Sequence, residues 1–97
     1  MIEGARVIEP RDLDALVQAV RGAEGASVLV LLRASGDAVA DAAMRAAIGP
    51  LAIERAPETR VNALLIGELA APEALDAAAR YLSGATSTTG QLIAVSG

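Results

Sequence analysis

The chain has 97 residues and a net charge of −4, with all eight of its cations arginine. It contains no Cys and no His, which excludes disulfides, thiolate catalysis and the usual zinc ligands. The length predicts one domain, short enough to leave much of its surface unburied.

Residues 5–8 are a short apolar run that reads as a first strand. Pro10 then sits where a helix could begin. Leu13, Leu16, Val17 and Val20 follow at the spacing of one helix face, and Gly22 and Gly25 supply the stop. Residues 27–32, SVLVLL, are continuously apolar, the mark of a strand buried on both faces in a parallel sheet. Ser35, Gly36 and Asp37 offer a turn and a helix cap. A helix over residues 37–55 aligns Ala40, Met44, Ala47, Ile48 and Leu51. Gly49-Pro50 predicts a kink or restart in it, since an internal proline costs ~3 kcal/mol. Residues 60–66, RVNALLI, read as a third strand ended by Gly67. Pro72 opens a third helix with Leu75, Ala78, Ala79 and Leu82 on one face. Residues 83–90 form a polar connection, and residues 91–95 a last strand. The expected fold is α/β and Rossmann-like: a four-stranded parallel sheet with three helices, β-α-β-α-β-α-β.

The function classes narrow in the same way. There is no Lys, and Tyr81 is the only aromatic residue. Proton donors and acceptors thus reduce to Asp, Glu, Ser, Thr and one Tyr, a poor set for chemistry at neutral pH. Without a basic cluster or stacking platform, nucleic acid is not an expected partner. No apolar run reaches the length of a membrane span, and MIEGARVIEP does not read as a signal peptide. The expected compartment is therefore the cytoplasm of a bacterium, and the dense Ala and Arg usage fits a GC-rich genome.

Asp37 and Asp41 stand one helical turn apart, a spacing that could serve a metal. A cap plus a first-turn acid is the preferred reading, because Mg²⁺ or Ca²⁺ needs more oxygens. Tyr81 reads as an anchor of its helix against the sheet with its hydroxyl in water. Residues 87–90, STTG, read as a polar turn rather than an anion nest. No catalytic, cofactor-binding or metal-binding residue is assigned.

Several short motifs fall in order over about 60 residues: Ala42-Ala43-Met44, Leu51-Ala52-Ile53-Glu54-Arg55-Ala56-Pro57, Arg60-Val61-Asn62-Ala63, Pro72-Glu73, Tyr81-Leu82 and Thr89-Gly90-Gln91. Together they resemble the second half of the short-chain dehydrogenase/reductase family. On that resemblance the chain is one truncated domain over residues 1–97, a C-terminal half lacking the dinucleotide-binding half. The family's catalytic tyrosine and lysine would fall on Asp37 and Asp41, which cannot replace them, since a carboxylate is already deprotonated at neutral pH unless strongly buried. Ser35 lies too close to the helix to be the family's serine. No glycine-rich turn for a pyrophosphate is present. The connections at residues 33–36 and 68–71 are short, the pattern expected if a packing surface were kept and a pocket discarded.

The resemblance also implies interfaces. The family's two helices corresponding to residues 11–22 and 37–55 build a four-helix dimer contact, and its last helix and strand build a second. Ala43, Ala46, Ala47, Pro50, Tyr81, Leu82 and Leu92 are the interface candidates. Apolar sheet faces that three helices leave uncovered, and open strand edges, favour association. The expected function is therefore a non-catalytic subunit, needing no cofactor, that forms a homo-oligomer or a hetero-oligomer with a dehydrogenase or biosynthetic enzyme. The alternative is one half of a split NAD(P)-dependent oxidoreductase whose cofactor arrives through a partner chain. A regulatory module using the sheet edge as a ligand platform is a third reading.

Overall fold

In the computed structural model, which describes residues 6–67, 70–84 and 88–95, the chain alternates strand and helix throughout. The elements are β1 (Arg6–Ile8), α1 (Leu13–Gly22), β2 (Ser27–Arg33), α2 (Ala38–Arg55), β3 (Arg60–Ile66), α3 (Pro72–Gly84) and β4 (Leu92–Val95). The strands form one sheet in the order β1-β2-β3-β4, every pair parallel. This is the expected α/β, Rossmann-like arrangement.

The central strands are apolar on both sides because both sides are covered. Val28, Val30, Val61 and Ala63 pack under Leu16 and Val20 of α1 and Met44, Ile48 and Leu51 of α2. Leu29, Leu64 and Val95 pack under Ala79 and Leu82 of α3. Full burial of side chains such as Leu16, Ile48 and Leu64 contributes about 1.5–3 kcal/mol each.

The faces carry a topological consequence. Each crossover moves the chain one strand along the sheet in the same direction. For a fixed direction, the face on which a helix lies sets the hand of its crossover. Since α1 and α2 share one face and α3 takes the other, the β3-α3-β4 crossover has the opposite hand to the first two. About 98% of such connections are right-handed, so a change of hand within one sheet is unusual. It leaves α3 alone on its face, beside an apolar groove of about 240 Å³ floored by Val7, Leu29, Leu31 and Leu64.

Local details depart from the sequence reading in three places. Pro10 does not open α1; Asp12 caps it, its carboxylate accepting from the Ala15 N–H at 2.8 Å. Two residues of irregular chain intervene because a cap needs an acceptor side chain and proline has none. Of the kink or restart expected at Gly49-Pro50, the restart does not occur, as α2 runs unbroken through Pro50. Ile48 on one side and Leu51 and Ala52 on the other are buried on the sheet, and this packing offsets the one lost hydrogen bond. Tyr81 does not anchor α3 to the sheet. It is 64% exposed, and Leu82, 2% exposed, does the anchoring.

Candidate functional site

Parallel register brings the strand ends together. Arg33, Ile66 and Val95 stand in one row across β2, β3 and β4. The chain leaving that row opens toward the carboxyl edge of the sheet, where α/β folds bind ligands. An open pocket of about 280 Å³ lies there. Its apolar wall includes Leu32, Met44, Leu65 and Ala94, and Arg11, Arg33 and Arg45 stand around it with Ser35 and Asp41. The expectation that trimmed loops would leave no pocket is therefore corrected. Short connections bring α2 and the strand ends close enough to wall a cleft by themselves.

Asp41 is the most constrained carboxylate here. The Ser35 hydroxyl donates to Oδ1 at 2.6 Å, and the Ser35 N–H donates to Oδ2 at 3.0 Å. These two bonds, with Arg45 nearby, hold the Asp41 carboxyl below its ordinary range. The Ser35 hydroxyl also accepts from the Asp37 N–H at 3.3 Å. Asp37 is the cap of α2, accepting from the N–H groups of Val39 and Ala40, both at 3.1 Å. The two aspartates thus tie down a turn, and among the described residues no cluster of three or more acids or other metal-binding side chains forms.

A dinucleotide, which the fold class implies, needs free N–H groups and a positive helix end for its pyrophosphate. The ends of α1 and α2 at this edge do not fit it. Asp12 and Asp37 already occupy N–H groups there and place negative charge where phosphate would sit. No chemical step through such a cofactor follows from these residues.

At the opposite end of the sheet, two of the motifs that carried the family resemblance, residues 60–63 and 89–91, lie side by side. The Asn62 side chain, 1% exposed, donates to the Thr88 carbonyl and accepts from the Gln91 N–H, both at 3.0 Å. The Val61 N–H donates to the Thr89 hydroxyl at 3.0 Å, and the Gly90 N–H donates to the Val61 carbonyl at 2.7 Å. Gly90 has φ +75°, which favours glycine. The described part of the 87–90 segment, from Thr88, is therefore a docked turn; Ser87 lies outside the described residues. Asn62 stood in a matched motif with no role, and only its fully apolar neighbours hinted that its amide must find partners.

The interface candidates scatter over the surface. Ala46 and Pro50 are exposed on the side of α2 turned from the sheet, whereas Ala43 and Ala47 are half-buried, Ala47 against the chain's own core. Tyr81 is exposed on α3 and Leu92 on β4, but Leu82 is committed to the interior. No described helix is long and apolar enough to cross a membrane.

Comparison with curated proteins and with solved structures gives no match. The sequence profile of the family described as SDR-like, short chain dehydrogenase-like protein, matches residues 4–95. That span takes in β1 and α1 as well as the closing strands, so the expectation of a C-terminal half alone is corrected. The later motifs carry distinctive polar side chains, while β1 and α1 offer only apolar periodicity. A match over nearly the whole chain, joined to the Rossmann-like sheet, leads to one conclusion: the chain belongs to the short chain dehydrogenase-like family.

Proposed function

We propose that this protein works by association rather than by catalysis, and that its docking surface is the outward face of α2. The observation behind this reading is a solvent-facing apolar stripe. Val39 is 81% exposed and Ile53 79% exposed. Between them, at helical spacing on the same side, lie the exposed Ala42, Ala46 and Pro50, edged by the half-buried Ala43 and Gly49. The charged residues of α2 lie off this stripe: Asp41 and Arg45 flank the pocket, Glu54 turns to Arg21, and Arg55 reaches the Ala23 carbonyl. A surface helix ordinarily shows a polar outer side; this one is apolar on both.

The stripe also suggests its occupant, a second copy of the chain. Val39 and Ile53 each stand seven residues from Ala46. Two such helices crossing antiparallel at Ala46 would set Val39 of each against Ile53 of the other and Ala43 against Gly49, as a two-fold contact requires. The small central residues permit close approach of the axes, and the bulky ends fill the flanks over about 21 Å.

The non-catalytic part of the reading rests on the two aspartates at the family's tyrosine and lysine positions. Asp37 caps a helix and Asp41 holds Ser35, so both carboxylates are engaged in structure.

Sedimentation velocity on the wild type and Ala46→Glu tests the proposal. The wild type should be dimeric, and A46E should be monomeric with an unchanged circular dichroism spectrum. A wild type that stays monomeric at its highest soluble concentration, or an A46E protein that remains a dimer, removes the reading.

A further inference from the structure

We infer that the pocket at the carboxyl edge binds a small organic anion, its charged group held by Arg11 and Arg45 and its short apolar body against Leu32, Met44 and Leu65. This goes beyond the association reading and does not depend on it, since the pocket and the outward stripe lie on different sides of α2.

Charge is the first argument. The protein is acidic overall, yet three of its eight arginines stand around this one cleft, and among the described residues lining it Asp41 is the single acid. That acid, Asp41, is turned to Ser35 by bonds of 2.6 and 3.0 Å and is further offset by the charge of Arg45. Arg33 is engaged by Glu9 at 3.3 Å. Arg11 makes no hydrogen bond or ion pair with any described residue, and Arg45 has only its electrostatic relation to Asp41. Two guanidinium groups are therefore available, and guanidinium binds planar oxyanions through paired N–H donors.

Shape and polarity supply the second argument. Leu32, Met44 and Leu65 give the same cleft an apolar wall, where the sheet meets the first turns of α2. An inorganic ion would leave this apolar surface wet, while a short hydrocarbon covers it. At about 280 Å³, the cleft lies just below the usual size range of ligand sites. The ligand is thus compact and carries its charge at one end. It is not a nucleotide pyrophosphate, because the nearby helix ends are already capped by Asp12 and Asp37.

Three probes test this by amide chemical-shift titration of the whole chain: hexanoate, hexanol and inorganic phosphate. Hexanoate should saturate, with shifts confined to residues around the pocket, such as Ser35, Arg45 and Gly67. Hexanol, lacking charge, and phosphate, lacking the apolar body, should each bind about tenfold more weakly. Arg11→Ala and Arg45→Ala are surface changes that should leave the spectrum folded and weaken hexanoate by about tenfold each. Arg80→Ala, on α3, should change nothing. Unsaturable shifts, equal affinity for the charged and uncharged probes, phosphate binding as tightly as hexanoate, or R11A and R45A proteins that bind like the wild type would each overturn the assignment.

Discussion

The Ser35 hydroxyl donates to Asp41 at 2.6 Å while the backbone N–H of the same residue donates to the second oxygen of that carboxylate at 3.0 Å. One side chain on the first turn of α2 thereby fixes the whole β2–α2 connection. The turn in turn shapes the pocket, since both residues line it.

This relationship has a pH signature. The Asp41 carboxyl is held below its ordinary range by the two Ser35 bonds, then by Arg45. A folded-state pKa below the unfolded value contributes stability at neutral pH that disappears as pH falls through the carboxylate range, near 4 for an unfolded aspartate, and through the lower folded value. Asp41→Asn should lower the urea midpoint at pH 7, and its deficit relative to wild type should shrink toward pH 2. A deficit that does not change with pH would show that the carboxylate charge plays no part.

Asn62 should matter more than its polarity suggests. Its amide serves both the Thr88 carbonyl and the Gln91 N–H inside the fold. Asn62→Ala leaves both unpaired, at a cost of about 1–3 kcal/mol for each group that stays dry. Hydrogen exchange should speed up at Gln91, whose N–H loses its acceptor. Unfolding titrations that match wild type would rule out the clamp.

Two isoleucines on α2 separate folding from association. Ile48 is fully buried beneath the helix, and Ile53 points to solvent. Ile48→Ala should cost about 2–5 kcal/mol of stability. Ile53→Ala should change the stability of the isolated chain by no more than about 0.5 kcal/mol, yet weaken self-association. Denaturation of dilute samples, with sedimentation of concentrated ones, reads the two effects separately.

Arg21 and Glu54 join α1 to α2 through a two-point contact, with N–O distances of 2.9 and 3.0 Å. The hydrogen bond with Arg21 holds the Glu54 carboxyl below its usual range. Both groups stand in solvent, so the contribution is small and screened. Glu54→Gln should lower the urea midpoint slightly in dilute buffer and not at all in molar salt. A loss that is unchanged by salt would mean the pair acts through packing instead.

Periodicity and composition determined the architecture. The unbroken apolar run in β2 requires cover on both faces, and the alternation of strand and helix requires parallel crossovers. The caps were local enough to read in part: Asp37 was legible because a cap bonds within its own turn, while Pro10 drew attention from Asp12 two residues on. The tertiary structure alone decided the rest. The hand of the last crossover depends on which sheet face has room for α3, and no local pattern carries that choice. Asn62 and Thr88 lie 26 residues apart, and Arg11, in the β1–α1 connection, and Arg45, on α2, reach the same pocket. The buried face of α2 was legible in the alignment of Met44, Ile48 and Leu51, but the exposure of Val39 and Ile53 at the two ends of its outward side came only with the fold, since apolar residues ordinarily turn inward. Sequence sets what each segment prefers by itself; contacts between distant segments exist only after the chain closes on itself.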